Sequence, residues 1–249
     1  MPVSRLLTLI VAPFLSLAAQ AGEITVSAAA SLGGALREIA PSFEAANPGT
    51  RLQLNMAASG ALLAQMSRGA PVDVFLSADQ ETMDQAQARG LVRSAQRRDL
   101  VANTLVVIVP VGSAKVPETL ADLAQPAFAR IAIGLPASVP VGRYARGALE
   151  AAGLWGAIEA RMIGANDARQ ALVYVARGEV DAGFVYATDA ALMPEKVRVA
   201  FGVRTLRPIL YPVAPVVTGP NPAGGARFVD FLFTPTAQAV FRKHGFGRP

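Results

Sequence analysis

The chain has 249 residues, no cysteine, a single histidine, and 23 basic against 18 acidic side chains, a formal charge of +5. Without cysteine there is no disulfide and no thiolate metal site, and one histidine excludes any two-histidine metal centre. The basic excess is scattered, densest at Arg93, Arg97 and Arg98, with no interleaved aromatic residues and no reader motif, so it reads as a solvated surface and no nucleic-acid partner is expected.

In chain order the first segment reads as a secretion signal. Arg5 supplies the positive region, residues 6–18 the apolar stretch, and Ala19-Gln20-Ala21 an A-x-A cleavage site. The apolar run is shorter than the ~20 residues a spanning helix needs, and Pro13 interrupts it. Cleavage after Ala21, no lipid anchor and a periplasmic location are therefore expected. The remaining 228 residues (249 minus 21) carry +4 once Arg5 is removed, and are ample for one large domain or two lobes.

Strands are predicted at residues 23–27, 51–55, 72–77, 105–109, 130–134, 182–186, 197–200 and 211–217, mostly short apolar runs of the kind buried on both faces of a parallel sheet. Helices intervene. After Ser31, Leu32, Leu36, Ile39 and Phe43 recur at helical spacing until Pro48-Gly49, and after Ser59, Leu62, Leu63 and Met66 do the same until Gly69. Asp79 reads as the cap of a helix over 80–89 closed by Gly90, and Asp167 as the cap of one whose inner face is Ala171, Leu172 and Val175. Two helices, 225–233 and 236–244, end the chain, parted by Pro235.

This alternation specifies an α/β fold. The longest strand candidates, 104–110 and 211–217, lie far apart with a self-contained β–α–β stretch between them, so they are expected to be crossovers between two lobes. The expected division is residues 22–103 plus 212–249 for lobe I and 104–211 for lobe II, with a ligand cleft between them. Open α/β sheets bind ligands at the carboxyl ends of their strands, beside helix N-termini.

Ser31 and Ser59 sit at such places, in the small-residue settings Ala28-Ala29-Ala30-Ser31 and Ala57-Ala58-Ser59-Gly60. A helix start offers unpaired N–H groups and the positive end of the dipole, and a serine there can complete an anion site or simply cap its own helix. Gly60 would remove a Cβ from the path of an approaching anion. Pro140 followed by Val141-Gly142 resembles a helix start; its backbone N–H groups are a third set of donors or belong to an ordinary βα loop. Tyr186 ends a strand, where its hydroxyl enters the cleft or is satisfied in a half-buried setting.

Nothing assembles a catalytic group. His244 lies between Lys243 and Gly245 near the end of the chain, Glu179, Asp181 and Asp189 read as solvated carboxylates, and no nucleophile elbow, P-loop or dinucleotide glycine motif is present. A secreted hydrolase using Ser31 or Ser59 would lack a histidine base. The chain is therefore read as a binder and not an enzyme.

Five segments share a further property. Residues 24–32 (ITVSAAASL), 71–80 (PVDVFLSADQ), 139–145 (VPVGRYA), 166–172 (NDARQAL) and 183–190 (GFVYATDA) resemble, in register over nearly all of the mature chain, the molybdate-binding periplasmic proteins of bacterial ABC importers. The resemblance implies a two-lobed periplasmic-binding-protein fold of the type II kind, closing over molybdate or tungstate. By motif it implies ligand contacts from the hydroxyl and backbone of Ser31 and Ser59, the backbone N–H of Val141 and of Ala168, and the hydroxyl of Tyr186. It also implies an ABC-transporter permease as partner, a monomer, no cofactor, and a metal that enters only as the oxyanion, with no side chain coordinating it.

The family commonly has alanine at the position of Val141 and valine at that of Ala168; both supply a backbone N–H whatever the side chain, and the bulkier Val141 bears on cavity size. Where some relatives carry extra serines, Ala58 and Gly60 leave Ser59 without neighbouring hydroxyls. A site made only of donors selects a fully deprotonated oxyanion, because protonated phosphate brings a hydrogen that needs an acceptor. Sulfate or another small oxyanion is the alternative ligand, to be excluded by size.

Overall fold

The structure, a computed structural model, describes residues 22–249; the expected signal segment and its cleavage site lie outside the described residues. The first part of the chain forms β1 (Glu23–Ala29), α1 (Gly33–Ala46), β2 (Arg51–Ala57), α2 (Ser59–Ser67), β3 (Val74–Leu76), α3 (Gln80–Ala88) and β4 (Arg98–Asn103). The middle part forms β5 (Leu105–Pro110), β6 (Ile131–Gly134), α4 (Pro140–Ala151), α5 (Trp155–Glu159), β7 (Met162–Ala165), α6 (Ala168–Ala176), β8 (Ala182–Tyr186), α7 (Ala187–Ala190) and β9 (Val197–Val203). The chain closes with β10 (Ile209–Pro215), α8 (Pro222–Leu232) and α9 (Pro235–Lys243). Among the described residues no helix is long and apolar enough to cross a membrane.

The strands make two five-stranded sheets, ordered β2-β1-β3-β10-β4 and β7-β6-β8-β5-β9. Each has the same internal logic. Three strands run parallel (β1, β2 and β3; β6, β7 and β8), and a fourth pairs antiparallel beside them, β10 in the first sheet and β5 in the second. That antiparallel strand is the one that has just arrived from the other sheet. The chain leaves the first sheet after Asn103 and enters the second at Leu105, then returns between Val203 and Ile209. The expected two-lobed α/β architecture with two crossovers is what forms.

Helices cover both faces of each sheet, as parallel strands require. In the first lobe Leu36, Ile39 and Phe43 of α1 and Phe228 and Val229 of α8 pack on one face, with Phe43 and Phe228 edge-to-face at 5.0 Å; Leu62, Leu63, Met66 and Met83 cover the other. In the second lobe Ala145 and Leu149 of α4 cover one face, and Leu172 and Val175 of α6 the other. Each fully buried leucine or phenylalanine stabilises the fold by roughly 1.5–3 kcal/mol relative to exposure.

Two strands escaped the sequence reading, β4 and β7. Both are sheet edges, and their half-exposed sequences RDLVAN and MIGA lack a buried apolar run. The final sheet-crossing strand starts two residues earlier than expected, at Ile209, and ends at Pro215, with a register shift between Tyr211 and Pro212. The caps at Asp79 and Asp167 form as read, each accepting from the N–H three residues on.

α4 begins at Pro140, the favoured first-turn position for a residue without an N–H. Two residues later Gly142 lies so close to the end of β6 that an added Cβ would sit 1.8 Å from the Gly134 carbonyl oxygen. Alanine normally stabilises a helix over glycine by about 1 kcal/mol. Here the sign reverses: Gly142→Ala is expected to destabilise the protein by about 1–3 kcal/mol, the usual cost of overpacking, measured as a lower urea midpoint.

Candidate functional site

The six parallel strands point their carboxyl ends at one place. β1 ends at Ala29, β2 at Ala57 and β3 just before Ala78; β6 leads to Val139, β7 to Asp167, and β8 ends at Tyr186. Together with the residues that follow them they wall a small cavity between the two lobes. All five residues singled out in the sequence, Ser31, Ser59, Val141, Ala168 and Tyr186, line it, and all are buried. Most of the remaining wall is methyl groups, from Ala29, Ala30, Ala57, Ala58 and Ala78.

Local geometry removes one of the two alternatives for the serines. Neither caps its helix. Ser31 lies inside a 3-10 turn, Ala30–Leu32, that leads into α1, and its hydroxyl is 2.9 Å from the Tyr211 hydroxyl. Ser59 is the first residue of α2, after Ala58, and its hydroxyl accepts the Ala78 N–H at 2.9 Å. Because a backbone N–H can only donate, the Ser59 proton is left to point elsewhere.

The N-termini of α4 and α6 add backbone donors. Ala168 is the first residue of α6, so its N–H has no partner within the helix. On α4 the second donor considered, Gly142, is already engaged, donating to the Val139 carbonyl at 3.0 Å; Val141 remains. Tyr186 is fully buried, and its hydroxyl finds no hydrogen-bond partner among the described residues. Burial pushes that phenol well above its ordinary pKa, so it stays protonated as a donor. An unpartnered buried hydroxyl is costly, and natural structures keep few of them.

The lobes touch around this cavity. The Gly60 N–H donates to the Ser138 carbonyl of the opposite lobe at 3.0 Å, and a Cβ on Gly60 would come within 2.5 Å of that oxygen. The glycine thus clears the way for the other lobe's backbone, where the sequence suggested only an approaching anion. Arg143 of α4 reaches across to α3, with Nε donating to Asp79 at 2.8 Å and Nη2 to the Thr82 hydroxyl at 2.6 Å. Arg169 of α6 donates to the Ser31 carbonyl at 3.5 Å.

Sequence reasoning missed Arg143, Arg169, Asn103 and Tyr211, all of which act at a distance from their own segment. The reading of Asp189 as a solvated carboxylate is also overturned. It lies wholly buried in α7, with Oδ1 2.6 Å from Arg169 Nε. Glu179 pairs with Arg177 on the surface, Asp181 accepts the Arg130 N–H, and His244 pairs with Glu38 at 2.9 Å.

The profile of bacterial extracellular solute-binding proteins matches residues 24–247. The chain belongs to this family. Among the relatives of this solute-binding protein is the molybdate-binding protein ModA of Escherichia coli (strain K12), 38% identical over 92% of this chain and 90% of that protein. The Azotobacter vinelandii periplasmic molybdate-binding protein superposes with a TM-score of 0.76 at 25% identity, covering 91% of this chain and 99% of that one. The sulfate-binding protein SubI of Mycobacterium tuberculosis H37Rv superposes with a TM-score of 0.80 at 17% identity over 90% of this chain and 86% of that one, a likeness of fold.

Burial pushes the Asp189 carboxyl up to about 7, against the pull of the Arg169 guanidinium. The native state therefore holds a proton that the unfolded chain has already released, and this contribution to stability is lost as the pH rises from the usual carboxylate range through about 7. Urea midpoints taken at about pH 5 and about pH 8 are expected to fall with pH in the parent and to fall less in Asp189→Asn. Equal slopes in the two proteins would remove Asp189 as the source.

Proposed function

We propose that this solute-binding protein captures molybdate, and tungstate with it, between its lobes and delivers it to an ABC importer. The observation that carries the reading is the Tyr186 hydroxyl, a buried, protonated donor with no partner among the described residues, in a cavity it shares with Ser31 and Ser59. A dianion stripped of water needs such donors, and hydrogen bonds to a charged acceptor are about twice as strong as neutral ones. The starts of α1, α2, α4 and α6 add dipole ends without a buried counter-charge. Ser31, Ser59, the N–H groups of Val141 and Ala168, and Tyr186 form the proposed ligand set.

The same reading assigns the chain to the periplasm as a monomer after cleavage behind Ala21, with a membrane permease as partner. The body built on the first sheet and the body built on the second close on each other as ligand binds. No catalytic role or cofactor is proposed.

Calorimetric titration with molybdate, tungstate, sulfate and phosphate in parallel tests the ligand. Tight binding of molybdate and tungstate alone is expected; equally tight sulfate binding would move the function to a different importer. Ser31→Ala/Ser59→Ala is expected to weaken molybdate binding on the order of a hundredfold or more, at about 1.5–3 kcal/mol per hydrogen bond to a charged group. Undiminished affinity would sink the site assignment.

Closure has its own test. Gly60→Ala puts a methyl group where the Ser138 carbonyl must approach. It is expected to lower molybdate affinity without lowering the ligand-free melting temperature, and to reduce the compaction that saturating molybdate produces in small-angle scattering.

A further inference from the structure

Both cavity serines are backed by a donor, but by different means. Ser59 receives a backbone N–H, which fixes its polarity whatever the side chains do. Ser31 receives Tyr211, a hydroxyl that could either give or take a proton. What decides the direction lies one step further back, at Asn103.

Asn103 is the last residue of β4, and Thr104 alone separates it from β5 in the other lobe. Its Oδ1 accepts the Thr104 N–H at 2.9 Å. Turning the amide over would set its NH₂ against that N–H, donor facing donor, so the Thr104 N–H favours the orientation in which Oδ1 faces it. In it, Nδ2 donates to the Thr188 hydroxyl of α7 at 2.9 Å and to the Tyr211 hydroxyl at 3.2 Å. An amide nitrogen only donates, so Tyr211 accepts from Asn103 and its single proton goes to Ser31. Ser31 then accepts from Tyr211, and its own proton is left facing the cavity that Ser31 lines.

We infer that Asn103 and Tyr211 are positioning residues for the oxyanion site: the chain Asn103 → Tyr211 → Ser31 turns the Ser31 hydroxyl outward as a donor. Its members come from both crossings of the chain. Asn103 stands at the exit from the first lobe, Tyr211 on the strand that returns to it, and the second Nδ2 hydrogen goes to Thr188 in the opposite lobe. The orientation of a ligand donor is thereby tied to the hinge. The inference rests on the proposed reading of the cavity as an oxyanion site and assigns to that site two residues that do not touch the ligand.

Tyr211→Phe removes the relay hydroxyl and keeps the ring that packs edge-to-face on Tyr186 at 5.7 Å and Phe246 at 5.6 Å. Calorimetric titration with molybdate is expected to show about three- to tenfold weaker binding, the worth of one neutral hydrogen bond. Asn103→Leu is expected to lose a similar factor, and the Asn103→Leu/Tyr211→Phe pair no more than Tyr211→Phe alone. The decisive arm is the Ser31→Ala background, where Tyr211→Phe is expected to change nothing, because the hydroxyl it orients is gone. A Tyr211→Phe loss that persists in full in Ser31→Ala would make Tyr211 a packing residue and overturn the inference, as would unchanged affinity in the single variant. Should Tyr211→Phe fail to fold, the same cycle between Asn103→Leu and Ser31→Ala decides in the same way. If the unmodified protein binds none of the four oxyanions, the reading of the cavity itself has failed; if it binds molybdate and the cycle is additive, only the relay has.

Discussion

A parallel strand followed by a helix leaves unpaired N–H groups at one end, and the whole architecture depends on where those ends are sent. In this protein six such ends, three from each sheet, converge on one cavity. Parallel pairing forces the helices that follow these strands to start on the same side, so donors accumulate there without being chosen singly. Lining the remainder with alanine lets a small ligand reach them. For the oxyanion proposed above, many partial charges take the place of one cation, which avoids the desolvation penalty of a buried ion when the ligand is absent.

Hydroxyls complicate this, because they give or take a proton with equal ease. The structure removes the choice by placing a donor behind each. A backbone N–H stands behind Ser59, and an amide oriented by the Thr104 N–H stands two bonds behind Ser31. Tyr186 reaches the same end by a different route, since burial above all holds its pKa well above the ordinary phenol value and no acceptor among the described residues competes for its proton. Three hydroxyls are thus held ready to donate by three separate physical causes.

The sequence made legible what is local. Apolar runs located the buried strands, and Asp79 and Asp167 announced their helices because a cap acts three residues away. The edge strands β4 and β7 were invisible because exposed edges need no apolar run. At the site, the five lining residues were found from strand ends, helix starts and family resemblance. What was missed depends on tertiary contact. Tyr211 meets Ser31 across 180 positions and Arg143 meets Asp79 across 64, and no spacing within a segment encodes either. Asp189 was misjudged for the same reason: a short polar segment, Ala-Thr-Asp-Ala, reads as surface until the fold buries it against Arg169.

A protein that must release what it binds cannot close too firmly by itself. The bonds named across the cleft fit that demand. Gly60 to Ser138 is one neutral backbone bond, worth about 0.5–1.5 kcal/mol net. The Arg143–Asp79 pair is nearly withdrawn from water, with side chains 16% and 5% exposed, so its Coulomb attraction is largely offset by the cost of desolvating both ions. Contacts of this size align the lobes without holding them shut, and the balance is left to whatever satisfies the cavity. A ligand shifts a two-state equilibrium only by its difference in affinity for the two states. For the ligand set proposed above that difference is large: its donors come from both lobes, and opening would take those of one lobe away from the ligand at once.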